Sequence, residues 1–184
     1  APGENKSLEV VGNRVWSAGN GFIRTYSFDG NLDLTLPTAG DNKSLLRVGS
    51  EVWSSQSGQI SRYDLTGGLL GTFAAAGVNR ALERVDEEIW SGDDMYIRRY
   101  DLGGTLLGSI NALGTNRSLE VVGDEVWSAN ANFIRRFDFD GNPRLLQARV
   151  DMGAYESGGT YLLTYAAASG GTLQGDANQT IGYA

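Results

Sequence analysis

The chain of 184 residues contains no cysteine. A disulfide framework and a thiolate metal site are therefore excluded. It contains no histidine either. The usual general base near neutral pH and the commonest metal ligand are both missing. Proline is scarce, at 3 residues, and Lys6 and Lys43 are the only lysines. No apolar run approaches the ~20 residues of a membrane-crossing helix, so membrane insertion is not expected. Cations are in deficit, 15 against 22 acidic residues, for a net charge of −7. A nucleic-acid footprint needs a clustered basic face, so no nucleic-acid partner is expected. A Gly-x-Ser-x-Gly elbow and a phosphate-cradling glycine loop before a helix are also missing. The chain reads as a non-enzyme with no catalytic residue, no metal ligand set and no cofactor. The carboxylate pairs Glu87-Glu88 and Asp93-Asp94 stand in or beside turns, without a partner that would tune a pKa. A carboxylate-only glycosidase is the one enzymatic option this leaves.

What the chain has is glycine, 26 residues of it, and repetition. Four tripeptides recur 37 residues apart, Val15-Trp16-Ser17, Val52-Trp53-Ser54, Ile89-Trp90-Ser91 and Val126-Trp127-Ser128, and they hold every tryptophan. Each repeat opens on asparagine (Asn5, Asn42, Asn79, Asn116). A cation follows (Lys6, Lys43, Arg80, Arg117), and an unvarying leucine stands two further on (Leu8, Leu45, Leu82, Leu119). Self-similarity at such a period marks a propeller, a solenoid or an array.

Short Gly/Asn/Asp-rich breaks divide each repeat into four segments. In the first these are residues 7–11, 14–18, 22–28 and 32–36, separated by Gly12-Asn13, Gly19-Asn20-Gly21 and Asp29-Gly30-Asn31. In the second they are 44–48, 51–55, 59–64 and 69–73. The segments are too short for a helical stripe and rich in β-branched and aromatic residues, so they read as strands. The breaks suit turns with positive φ. A single four-stranded meander exposes both faces; stacking such sheets around an axis buries them and protects their edges. The expected fold is all-β, a small β-propeller of four 37-residue, four-stranded repeats followed by a short C-terminal β-hairpin segment. An open stack completed by a second chain is the alternative. The expected division is a propeller over residues 1–150, a linker over 151–159 and a partial β-repeat over 160–184.

Three sets of residues are candidates for function. Trp16, Trp53, Trp90 and Trp127 read as inter-blade core, with a sugar- or base-stacking platform as the alternative. Lys6, Lys43, Arg80 and Arg117 would converge at one channel mouth if residues 7–11 and their equivalents are innermost. Four cations there would hold an anion, unless they point to solvent. The turns between second and third strands differ most among repeats and emerge at one end. Asn20, Gln56, Asp93, Asp94, Asn130 and Asn132 are thus candidate ligand contacts on a rigid frame, or exposed turns under no constraint. Of Arg98-Arg99 and Arg135-Arg136, one in each pair is expected to extend along the surface or meet a carboxylate. The turn Asp138-Phe139-Asp140-Gly141-Asn142 has the oxygen donors of a calcium loop but lacks its later carboxylate, and reads as a hairpin turn.

Val15-Trp16-Ser17, Ile23-Arg24-Thr25-Tyr26 and Asp29-Gly30-Asn31-Leu32 resemble the outer three strands of quinoprotein-like and NHL-like bacterial propeller repeats. Ile97-Arg98-Arg99-Tyr100-Asp101-Leu102-Gly103-Gly104 shows the likeness best. It covers residues 5–142 and implies the propeller fold, not quinone binding. Asp151-Met152-Gly153-Ala154-Tyr155-Glu156 resembles a signature near the C-terminal end of secreted bacterial choice-of-anchor proteins. Residues 160–184 resemble the opening of a divergent internalin-type surface repeat, with strands expected over 161–166 and 179–183. These resemblances imply an extracellular or cell-surface location, and a chain excised from a longer protein. The expected function is a non-catalytic binding or scaffold module of a bacterial surface protein, with a protein or glycan partner at the cell surface. Self-association is the alternative: a structural subunit of an extracellular filament or sheath, assembling through strand addition by the tail.

Overall fold

The computed structural model describes residues 4–144, 160–164 and 178–182. Contacts divide the chain into two compact units, Ala1–Leu146 and Gln147–Ala184.

The first unit is built from antiparallel meanders. Blade 1 comprises β1 (Asn5–Val11), β2 (Arg14–Ser27) and β3 (Leu32–Asp41). Blade 2 comprises β4 (Ser44–Val48), β5 (Glu51–Gln56), β6 (Gln59–Asp64) and β7 (Leu69–Ala74). Blade 3 comprises β8 (Ala81–Val85), β9 (Glu88–Gly92), β10 (Tyr96–Asp101) and β11 (Leu106–Asn111). Blade 4 comprises β12 (Ser118–Val122), β13 (Glu125–Ala129), β14 (Ile134–Asp138) and β15 (Pro143–Arg144). Successive blades touch through their first strands, β1 to β4, β4 to β8 and β8 to β12. These strands line the axis of a four-bladed β-propeller; β1 and β12, the first strands of the two end blades, make no comparable contact with each other.

Local chemistry accounts for the strand breaks. Gly104 (φ 90) closes the turn after β10, where an added Cβ would lie 2.5 Å from Phe73 Cγ of the preceding blade. Asp64, Asp101 and Asp138 begin the equivalent turns, and their carboxylates accept backbone N–H groups from Gly68, Thr105 and Asn142, each at 2.8 Å. The Asp138 turn is thus a hairpin held by its own carboxylate. Beside the equivalent turns of blades 1, 2 and 3 the register of the outer pair slips by one residue, at Thr25/Tyr26, Arg62/Tyr63 and Arg99/Tyr100, whereas the short β14–β15 pair keeps its register. Such bulges sharpen the twist that lets sheets pack as blades.

Blade 1 departs from the expected segments. Residues 14–18 and 22–28 belong to one run, β2, whose first part pairs with β1 and whose second part pairs with β3. Gly19 pairs with Asn5 and Asn20 with Asp41, so the ladder reaches the Asn20-Gly21 tip from both sides. Strand β3 continues past Leu36 to Asp41 and includes Pro37. An outermost strand tolerates proline because its free edge needs no donor.

Alternation along the strands gives every blade two apolar faces. One carries Leu45, Val52 and Tyr63 in blade 2; the other carries Val48, Trp53 and Ile60. The Trp face of blades 1, 2 and 3 meets the Leu face of the next blade. Three cores result, Val11/Trp16/Ile23 on Leu45/Val52/Tyr63, Val48/Trp53/Ile60 on Leu82/Ile89/Tyr100, and Val85/Trp90/Ile97 on Leu119/Val126/Phe137. Trp16, Trp53 and Trp90 are at most 1% exposed. Each buries on the order of 200 Å².

In the second unit, β16 (Thr160–Thr164) pairs antiparallel with β17 (Asn178–Gly182). Both strands begin and end slightly earlier than the sequence pattern indicates. The hexapeptide 151–156 and residues 145–150 lie outside the described residues.

Candidate functional site

The repeat asparagine ties neighbouring blades together. Asn42, Asn79 and Asn116 are wholly buried. Asn79 Nδ2 donates to Gln56 O at 2.9 Å in the preceding blade and to Ala75 O at 2.7 Å. Its Oδ1 accepts from Ser91 Oγ at 2.8 Å, and Asn42 and Asn116 accept likewise from Ser54 and Ser128. Ser54, Ser91 and Ser128 therefore hold the asparagines that anchor the preceding blade's loop. A buried amide left without these partners would cost its desolvation.

A second repeated device clamps the tryptophans. Trp53, Trp90 and Trp127 donate their indole N–H to Glu51, Glu88 and Glu125 at 2.8, 3.0 and 3.0 Å. Arg62, Arg99 and Arg136 reach the same carboxylates with two nitrogens each and lie 5.2–5.4 Å over the indole rings. The arginine hydrogen bonds hold all three glutamates below the usual carboxylate range. Blade 1 lacks the clamp, having Arg14 and Thr25 in these places. There Arg14 meets Asp33 at 3.2 Å, and Thr25 Oγ1 is buried without a hydrogen-bond partner.

The six loop residues fall into two kinds. Asn20 and Asn132 are exposed. Gln56 is buried and donates to Asn42 Oδ1 at 2.9 Å. Asp93 is buried, accepts from the backbone of Met95 and Tyr96 at 2.8 and 2.7 Å, and pairs with Arg98. Burial pushes the Asp93 carboxyl up, but these hydrogen bonds outweigh it and hold it below its ordinary value. Asn130 plays the same part in blade 4, accepting from Asn132 N and Phe133 N, both at 2.9 Å. Asp94 pairs with Arg80 at 2.9 Å. Gln56, Asp93 and Asn130 thus shape the loops from within.

What these loops present is aromatic. Met95, Tyr96 and Phe133 are 49%, 38% and 59% exposed at one end of neighbouring blades. Arg98 lies 5.2 Å over the Tyr96 ring and Arg135 5.5 Å over the Phe133 ring. Both arginines are pinned to the preceding blade, Arg98 on Ala76 O at 2.9 Å and Arg135 on Ala112 O at 2.5 Å. So both members of each arginine pair have partners, one on the clamp and one on the loop. On the other side of the array, a cleft of about 450 Å³ lies between β3 and blade 2, lined by Leu36, Pro37, Thr38, Gln56, Gln59 and Tyr63 among others.

The four repeat-start cations face carboxylates in three cases. Lys6 and Lys43 share Asp41 at 2.8 and 2.7 Å, Arg80 has Asp94, and Arg117 is exposed. Burial raises the Asp41 carboxyl, and the Lys43 and Lys6 hydrogen bonds more than reverse this. The axis itself carries acid. Glu9, Glu83 and Glu120 occupy one register position on β1, β8 and β12, where β4 has Leu46. Burial, then the Glu120 and Glu9 charges, push the Glu83 carboxyl up to about 7. Burial likewise raises Glu9. Among the described residues, no group of three acidic side chains is arranged to hold a metal ion.

The axial glutamates are spaced at multiples of 37 and were legible as a register, but which sheet edge faces the axis is a tertiary fact. Tyr96 and Phe133 share one repeat position with Phe22 and Gln59, and only the fold shows which of these are exposed.

No protein-family model matches the chain. No curated protein matches it either. Solved structures do. The computationally designed Ika4 protein superposes with a TM-score of 0.62 at 19% identity, over 75% of this chain and 92% of that one. The WD40 domain of Neurospora crassa Pan2 gives 0.67 at 12% identity, over 78% and 49%. The WD40 β-propeller domain of Doa1 gives 0.65 at 16%, over 78% and 54%. The chain spans about half the length of the two WD40 chains. These likenesses define the class, a repeat-built β-propeller. Domains of this class commonly serve as binding or scaffold modules and often mediate protein–protein interaction.

Proposed function

We propose that the chain is a non-catalytic binding or scaffold module of a bacterial secreted or surface protein, working outside the cell. The observation that carries the binding role is the preorganised aromatic end. Tyr96 and Phe133 are held under guanidinium groups that are themselves pinned to neighbouring blades. Rings immobilised before contact lose little entropy on binding, and exposed aromatics and Met are favoured at interfaces. The surface setting rests on the residue likenesses at 151–156 and 160–184. A ligand of this end is a glycan or a protein of the cell surface. The non-catalytic reading rests on the absence of histidine and cysteine, and on the arginine partners that occupy Glu51, Glu88 and Glu125.

The test is binding to a glycan array and to immobilised bacterial envelope proteins, by the full chain and by the double variant Tyr96→Ala/Phe133→Ala. Binding by the full chain and its loss in the variant, at unchanged melting temperature, are expected. Binding that survives the double substitution would refute the aromatic end as the site, and no binding to either surface would refute the module.

A further inference from the structure

The ring is packed at three seams, and the residues that would pack the fourth are exposed. On the Leu face, Leu45, Leu82 and Leu119 are 4–5% exposed, whereas Leu8 of blade 1 is 68% exposed. Val15 and Tyr26, on that same face of blade 1, are only partly buried. On the Trp face, Ile23, Ile60 and Ile97 are wholly buried, whereas Ile134 of blade 4 is 53% exposed. Val122 is 45% exposed where Val11, Val48 and Val85 are at most 8%, and Trp127 is the one tryptophan not fully buried. Blade 1 thus offers an unfilled Leu face and blade 4 an unfilled Trp face. These are the two halves of the seam that the chain already forms three times.

We propose that a second copy of this chain fills them. Blade 4 of each copy packs its Val122/Trp127/Ile134 face on the Leu8/Val15/Tyr26 face of the other, so that two chains complete one ring. Continuity with the internal interfaces carries the choice of occupant. Any blade 1 of this sequence has the side chains that Trp16, Trp53 and Trp90 already pack against in their neighbours. Polar register agrees. Ser7 Oγ accepts from Leu45 N at 2.9 Å and Ser44 Oγ from Leu82 N at 3.2 Å across two of the seams. Ser118, exposed, is the equivalent of these serines in blade 4. It meets Leu8 N of a second copy in the same way. Two copies joined by two such seams have closed twofold symmetry.

The test is light scattering behind size exclusion on the full chain across a concentration series. Twice the chain mass is expected. Leu8→Asp and Ile134→Asp each place a charge in the new seam at a position exposed in the single copy. Each should weaken association at least ~tenfold while far-UV circular dichroism stays unchanged. Leu69→Asp, on the outer strand β7 at a residue 62% exposed, should leave the dimer intact. Mixing the Leu8→Asp and Ile134→Asp chains restores one undamaged seam, so the mixture should pair more tightly than either variant alone. A monomeric full chain, growth beyond two copies, a dimer indifferent to both seam variants, or a mixture no tighter than its components would overturn the proposal.

Discussion

Replacing Glu83 with glutamine should stabilise the protein at pH 8 and leave it nearly unchanged at pH 4. In the fold, burial and the neighbouring Glu120 and Glu9 charges push this carboxyl up from 4.5 to about 7. Between those two values the native state holds a proton that the unfolded chain has released. Stability therefore falls as pH rises through this window, and the full loss is present above about 7. The gap corresponds to about 3 kcal/mol at 1.36 kcal/mol per pH unit. Partial contact of the side chain with solvent reduces this to about 2 kcal/mol. Glutamine keeps the shape and removes the charge, and Leu46 shows that the same place on β4 accepts a neutral side chain. The assay is urea unfolding followed by circular dichroism at pH 4 and pH 8, with m compared between variants. A gain below about 0.5 kcal/mol at pH 8, or an equal gain at both pH values, would refute the assignment of an electrostatic cost at the axis.

The seams and anchors give two further expectations. Trp90→Ala should destabilise by about 3–5 kcal/mol, and Trp127→Ala by clearly less when the chain is kept dilute, because the Trp127 seam is unfilled in a single copy; equal losses in thermal unfolding would contradict the asymmetry. Asn79→Ala should cost about 2–4 kcal/mol, since it leaves the Ser91 hydroxyl and the Gln56 and Ala75 carbonyls without their partner; hydrogen exchange should show the 56–59 loop of the preceding blade opening first.

The period, the strands and the apolar seams could be read before any coordinates. Turn residues and alternation are local, and 37-residue recurrence exposes them four times over. The inner position of the first strand is not local: the sequence leaves it a condition, and the contacts of β1, β4, β8 and β12 supply it. What escaped depends on distance across the fold. Asn79 and Ser91 are 12 residues apart, yet the bond they share matters because it reaches Gln56 of another blade. The arginine excess over lysine is explained only once Arg62, Arg99 and Arg136 are seen gripping a carboxylate with two nitrogens while lying on an indole, which an ammonium cannot do. Asp93 reads in sequence as a candidate ligand contact, and its part in bracing the loop from a buried position shows only in the fold. Leu8 and Ile134 are indistinguishable from their repeats in sequence, since exposure at the ends of an array is set by what lies beside them.

The placement of the four indoles also makes the molecule its own optical gauge. Trp16, Trp53 and Trp90 sit in dry seams and should emit at short wavelength, shielded from iodide or acrylamide. In the single copy Trp127, partly in water, should supply the long-wavelength, quencher-accessible share of the emission, and pairing with a second copy should remove that share. Each seam therefore has a separate dye already built in, and single Trp→Phe replacements would let the opening of one seam be timed against the others without adding a label.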